Sequence, residues 1–331
     1  MDRSTFIKYF AFGAAGSALG SPVAGQTASG STLASGPGGS LGSNLYFGES
    51  RTTGVRRLGK DKNFTIWRAG MAPAYTVQPG EIVLLELQHG LPGNVTREGL
   101  FKEPKPGDRI NPQTGPVFIE GIEAGDTLAI DLLEIRVGDW GYSGGRIFEL
   151  ADGYVHVDDK LRLPLRPMIG GIGVAPAQGE MDTKRPTETG GNLDCKEVRA
   201  GSTVVLTARV RGALVGMGDS HALQGDGEIA GQGIECDSEV LVRFRKLPEK
   251  LSDRPVILRP EFVATLSAAE DLNEAAWQAT DDMVELLARV TGRNPKEARA
   301  IVNLTGDLRI TQIVDPAKGA RMEVPGWVFG V

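Results

Sequence analysis

Between about residue 50 and residue 250, apolar and polar positions alternate over short stretches. Ile82-Val83-Leu84-Leu85-Glu86-Leu87 is a brief, mostly apolar run, and residues 127–135 form another that Asp131 and Glu134 interrupt. Within 203–211, Val204, Leu206, Ala208 and Val210 face one way, while Val205, Thr207, Arg209 and Arg211 face the other. Across 239–245, Val240, Val242 and Phe244 point inward and Glu239, Arg243 and Arg245 outward. A period of two marks half-buried strands. Glycine and proline clusters at 89–94, 104–108, 138–145 and 170–179 separate these runs. Many short strands without intervening helices imply a sandwich or barrel rather than a parallel α/β sheet.

The period changes beyond residue 250. Leu272, Ala275, Ala276, Ala279, Met283, Leu286, Leu287 and Val290 recur at helical spacing, with Glu274, Gln278, Asp282, Glu285 and Arg289 on the other face. Ser267 followed by Glu270 reads as a capping box, and Gly292 as the stop. Asn294, Pro295 and Glu297 open a second helix, and residues 309–314 form a strand. The expected fold is therefore mostly β: a sandwich- or barrel-like body over 50–250, with an α+β portion over 251–331 packed on it.

The first 30 residues follow another logic. Arg3 and Lys8 precede a weakly apolar run over 9–20, and small residues follow through Ala28. Charge, short apolar stretch and small-residue exit are the layout of an export signal. The run is too short and glycine-rich for a stable membrane span. Residues 2–8 resemble a twin-arginine signal with one arginine missing, which points to a periplasmic destination. Residues 31–49, rich in Gly, Ser and Ala, read as a flexible linker.

Composition narrows the function. A net charge of -6 argues against sequence-independent nucleic-acid binding, which needs a basic surface. The only two cysteines, Cys195 and Cys236, lack the spacing of a zinc knuckle. Two buried, unpaired thiols are the expectation for them, with a disulfide left open.

The densest chemistry lies in Gly216–Glu228, read as a loop between a strand ending near Val215 and another beginning near Ile229. Asp219, His221, Gln224, Asp226 and Glu228 fall there among glycines 216, 218, 225 and 227. Carboxylates and an imidazole are costly to bury unpaired but reasonable around a cation or a polarised water. Imidazole and carboxylate ligands suit zinc, whereas an oxygen-dominated set suits calcium or magnesium. An Asp/Gly turn without function is the competing reading. Of the other two histidines, His89 opens a glycine-rich turn after a strand, and His156 sits on a surface-like strand. Gly190-Gly191-Asn192-Leu193-Asp194 forms a second polar turn.

The segment Gly218-Asp219-Ser220-His221-Ala222-Leu223-Gln224-Gly225-Asp226-Gly227-Glu228 resembles the signature of the acetamidase/formamidase family. So do residues 190–194, Met168-Ile169-Gly170-Gly171-Ile172-Gly173-Val174-Ala175-Pro176, and the 111–117 and 120–126 stretches, in order, within a resemblance spanning roughly residues 75–325. The resemblance implies a mostly β fold, hydrolysis of formamide- or acetamide-like substrates to acid and ammonia, and a homo-oligomer. Two departures stand out: His89 where many members carry aspartate before the early turn, and a weaker match over 139–160, which could border the pocket.

The expected site follows from this chemistry. His89, Asp194, Asp219 and His221 hold a divalent metal, zinc favoured and calcium allowed, that activates water. Glu228 is the general base, Gln224 and Asn192 hold the amide, and Asp226 completes the catalytic set. The backbone at Gly170-Gly171 offers an oxyanion hole. The alternative is an exported, non-catalytic ligand-binding β-protein with a structural cation.

Overall fold

The computed structural model describes residues 1–17, their side chains as far as residue 10, and residues 54–331. The expected linker at 31–49 and the export segment beyond residue 17 lie outside the described residues. Two large sheets dominate. The larger runs, in spatial order, through Arg56–Leu58, Ile82–Leu87, Ser238–Leu247, Thr127–Val137, Thr203–Thr207, Val256–Leu258, Phe262–Ala269, Lys318–Pro325 and Asp307–Gln312. The second places Val215–His221 between Met168–Gly173 and Gln113–Ile119, with Gly190–Asn192 on the far side of Met168–Gly173. A smaller meander, Trp140–Ser143, Arg146–Ala151, Tyr154–His156 and Arg162–Pro164, covers one end.

The main core lies between the two large sheets, where Val83, Leu85, Ile130 and Val242 meet Val117, Ile119, Ile172 and Met217. The outer face of the larger sheet is covered by the helix Leu272–Thr291, through Met283, Leu286, Leu287 and Val290. This second layer explains why strict alternation misread Thr203–Thr207. Val204 and Leu206 enter the main core while Val205 enters the helix-covered one, so all five residues are buried. Glu239, expected outside, is also buried, where it pairs with Arg57.

The residue-250 boundary falls within one continuous sheet: Val256–Leu258 pairs with Thr203–Thr207, and Phe262–Ala269 continues from it. The helix Leu272–Thr291 is capped by Asp271, whose carboxylate accepts the Asn273 and Glu274 N–H groups. Ser267, the expected cap, instead lies on the strand Phe262–Ala269. Gly292 ends the helix in the left-handed region as its position suggested. Pro295–Thr305 is helical, and Asn294 caps it by accepting the Glu297 N–H at 3.0 Å. At the N-terminus Arg3–Ser17 is helical, and Phe6 packs 5.1 Å from Phe329 in the helix-covered core.

Candidate active site

The first half of the segment expected as a loop belongs to a strand, Val215–His221, buried throughout, while residues 222–228 form the expected loop. The strand's glycines remove the hydrophobic alternation that would have revealed it. Gly218 passes against Pro112, where an added Cβ would sit 2.2 Å from the carbonyl oxygen. Asp219 breaks the strand's regularity with a φ of 56°. Asn111, Asp194 and Glu228 share this left-handed conformation. For non-glycine residues it costs about 1–3 kcal/mol each and persists only where surroundings enforce it. Here all four converge on one place.

Ligand atoms of Asp194, Asp219 and His221 lie within 4.8 Å of one another, as do those of His221, Glu228 and Glu235. His221 thus joins both groups. Its Nδ1 lies 2.6 Å from Gln224 Oε1, while Gln224 Nε2 donates to the Asp194 carbonyl at 2.7 Å. Because the amide nitrogen is committed as a donor, its oxygen must accept from Nδ1–H. That turns Nε2 toward Glu235 Oε1, at 3.0 Å, and Asp219 Oδ1, at 3.7 Å.

Crowding distorts the titration of Asp194, His221, Glu228 and Glu235. Burial, with the neighbouring Asp219 and Glu235 charges, pushes Glu228 up to about 8 against the opposing pull of His221. Burial and Asp219 push Glu235 up to about 7. Burial and the charges of Glu228 and Asp219 hold Asp194 well above the usual carboxylate range. Burial opposes a charged His221, but Glu235 and Asp219 outweigh it and hold the imidazole above its ordinary value.

Asp194 Oδ1 and Asp219 Oδ1 are buried without a hydrogen-bond partner, and His221 Nε2 beside them has its ion-pair contact with Glu235 at 3.0 Å. Two orphaned carboxylate oxygens facing an imidazole nitrogen fit a divalent cation. Gly170 makes the room: a Cβ there would lie 2.5 Å from Asp194 Oδ1 and 2.9 Å from Asp219 Oδ2. Gly170 and Gly171 sit inside the strand Met168–Gly173, which is paired on both sides. The Gly170 carbonyl takes the Leu193 and Asp194 N–H groups. Space for two carboxylates is therefore what this glycine supplies.

Other expected residues stand differently. His89 lies outside both ligand groups; its Nδ1 accepts the Leu91 N–H at 3.2 Å, and its ring packs edge-on against Trp140 and Tyr142. Asp226 faces away from the cluster, in a bidentate pair with fully buried Arg321 at 2.7 and 2.9 Å and an ion pair with Lys196 at 2.7 Å. Gln224 has both ends engaged by the scaffold. Asn192 donates to Asp194 at 2.5 Å and to Asp315 at 3.1 Å, and accepts from Asn111 at 3.1 Å. Both amides therefore position ligands rather than leave groups free for substrate. Glu228 sits in the cluster, its Oε1 accepting the Gly233 N–H at 3.1 Å. Both cysteines are free and buried, and burial pushes the Cys195 thiol up to about 11, away from nucleophilic thiolate chemistry.

Sequence reasoning missed Glu235, Asp315 and Asn111. Glu235 carried one usable signal, a carboxylate flanked by Ile234 and Cys236 in an apolar setting. Asp315 arrives from the turn between Asp307–Gln312 and Lys318–Pro325, remote in sequence, and burial pushes it up to about 6.

Residues 173–330 match the profile of the acetamidase/formamidase family. A recombinant predicted acetamidase/formamidase from the thermophile Thermoanaerobacter tengcongensis is 31% identical, with a TM-score of 0.79 over 82% of this chain and 96% of that one. An acetamidase from Bacillus halodurans is 33% identical, with a TM-score of 0.77 over 83% of this chain and 100% of that one. A candidate formamidase of Schizosaccharomyces pombe is 24% identical over 266 residues, which cover 56% of this chain and 64% of that protein. The chain thus spans less than two thirds of that curated relative.

Proposed function

Because this chain belongs to the acetamidase/formamidase family, we propose that it is an amidohydrolase cleaving the C–N bond of small linear amides to carboxylic acid and ammonia. The observation that carries the reading is the convergence of Asp194, Asp219, His221, Glu228 and Glu235, with Asp194 Oδ1 and Asp219 Oδ1 left unpartnered. Asp194, Asp219 and His221 would hold a divalent cation, and one imidazole with two carboxylates is a donor set that suits zinc. Bound there, the cation would polarise the amide carbonyl and lower the pKa of a water.

The chain's own residues supply the rest. Gln224 fixes the His221 tautomer, and Asn192 steadies Asp194. Glu228 takes a proton from the attacking water as its oxygen bonds to the carbonyl carbon. It returns that proton to nitrogen as the C–N bond breaks, releasing ammonia and the acid. A carboxyl pushed up to about 8 is matched to carrying a proton near neutral pH.

Ammonia release from formamide and acetamide tests the reading. Activity is expected to vanish on exhaustive chelation and to return with zinc. Glu228→Gln is expected to lower kcat by at least about a hundredfold while the protein stays folded. Full turnover in metal-free protein would overturn the metal assignment, and no turnover of any amide by zinc-loaded protein would overturn the enzyme reading.

Two further expectations belong to the same proposal. Arg3, Lys8 and the apolar run after them support export, which cell fractionation with N-terminal sequencing checks. Exposed Leu308 and Ile310 on the edge strand Asp307–Gln312 support a homo-oligomer, which light scattering checks. No helix among the described residues is long and apolar enough to cross a membrane.

A further inference from the structure

The carboxylate cluster has an aromatic wall that the hydrolysis described above does not use. Tyr142 and Glu235 exchange backbone hydrogen bonds of 2.9 Å in both directions. Glu235 is bridged in turn to His221. Residues directly opposite across antiparallel strands share a face, so Tyr142, Glu235 and His221 form one row leading out of the cluster. Gly141 permits this approach: a Cβ there would lie 2.7 Å from the Glu235 carbonyl oxygen.

From Tyr142 the aromatic surface continues outward. The His89 ring lies 5.2 Å from Tyr142 and 5.7 Å from Trp140, edge-to-face in both cases. Phe101 stands 6.5 Å from Tyr142, also edge-on. Exposure grades along this path, from 1% at Tyr142 through half-buried Trp140 to 41% at Phe101. Leu100 is exposed beside Phe101. The wall joins the site directly, since the Gly90 N–H, next to His89, donates to Glu235 Oε2 at 3.0 Å.

One polar atom on this wall is out of place. The Tyr142 hydroxyl is buried and its O–H finds no acceptor, only the Leu91 backbone N–H approaching its oxygen. A buried tyrosine normally engages its O–H, and leaving it unmade costs about 1–3 kcal/mol. Burial, with the Glu235 and Asp219 charges, drives the phenol far above its usual range, so it is a donor at any working pH.

We propose that His89, Trp140, Tyr142 and Phe101 form a substrate subsite for the apolar or aromatic substituent of an amide, and that the Tyr142 hydroxyl donates to its carbonyl oxygen. The inference rests on the amidohydrolase reading and deepens it, from formamide-like substrates to aryl and arylalkyl carboxamides. His89 stands in that subsite as a flat ring, edge-on to Trp140 and Tyr142.

The test is kcat/KM for formamide, acetamide, glycinamide and phenylacetamide with zinc-loaded protein. Phenylacetamide is expected to exceed acetamide by at least about tenfold, the scale of apolar pocket discrimination. Trp140→Ala is expected to lower the phenylacetamide-to-formamide ratio by about tenfold or more. Tyr142→Phe is expected to lower kcat/KM for phenylacetamide about tenfold while raising Tm, because it deletes an orphaned hydroxyl and keeps the ring. A purely structural tyrosine would not lose activity as the fold gains stability. Turnover of formamide or acetamide, with phenylacetamide neither hydrolysed nor inhibitory, would overturn the subsite and leave the amidohydrolase reading standing. Preference for cationic glycinamide over phenylacetamide would overturn it too. No turnover of any amide would overturn the amidohydrolase reading itself, and the subsite with it.

Discussion

At single residues, hydrogen-bond direction separates ligands from their supports. Gln224 spends its nitrogen on the Asp194 carbonyl and its oxygen on His221 Nδ1. It therefore acts on a bound cation through His221, and partners of this kind typically govern 10–100-fold in metal affinity. Gln224→Ala is expected to weaken zinc binding by that factor, measured by competition with a chromophoric chelator; unchanged affinity would show that His221 is not a ligand. Asp226 belongs to another category. Burial opposes its charge, but Arg321 and Lys196 hold it below the usual carboxylate range. Asp226→Asn strips one partner from a fully buried guanidinium, which retains Glu323. We expect a loss of about 3 kcal/mol in urea unfolding, with kcat/KM per folded molecule far less affected than in Glu228→Gln. A loss of activity equal to that of Glu228→Gln, without destabilisation, would return Asp226 to the chemistry.

At the scale of elements, the site depends on glycine strands packed closely enough for carboxylates to meet. Gly170→Ala would drive a Cβ into Asp194 Oδ1 and the Asp219 carbonyl. Overpacking of this kind costs about 1–3 kcal/mol, and both carboxylates would be displaced together. Loss of zinc binding along with a lowered urea midpoint is therefore expected, and a variant that binds zinc normally would contradict the geometry. The same glycines limited what could be read from the sequence. Ile82–Leu87 was legible as an apolar run, the helix at 272 from its helical period, and the helix at 295 from its opening Asn294, Pro295 and Glu297. Val215–His221 was not, because five of its seven residues, Gly216, Gly218, Asp219, Ser220 and His221, have no apolar side chain to mark a face. The residue types at 219, 221 and 228 announced chemistry, but not their partners. Glu235 and Asp315 reach the cluster through tertiary packing from other segments. Asp226 looked equivalent to its neighbours until Arg321, about a hundred residues away, was seen to hold it.

At the scale of the whole molecule, the buried acid cluster opposes folding unless protons or a cation neutralise it. Glu228 and Glu235 are pushed up to about 8 and about 7 in the folded protein, whereas both titrate near 4.3 when unfolded. Between those limits the folded state retains protons that the unfolded chain has released. The unfolding free energy of cation-free protein therefore falls as pH rises from about 4.5 to about 8. His221 adds the same sign above its unfolded value, since its folded pKa is raised. Asp226 runs the other way, its contribution being present at neutral pH and lost only in acid. A divalent cation competes for the same lone pairs and binds the deprotonated forms, so its stabilisation grows over the same interval and adds RT ln(1 + [L]/Kd). Thermal melts in chelator at pH 5, 6, 7 and 8 are expected to show a falling Tm, and the same series in excess zinc a Tm that holds or rises. Parallel curves with and without zinc would mean that the cluster is neutralised by protons alone, and a flat curve in chelator would mean that these carboxyls are not raised at all.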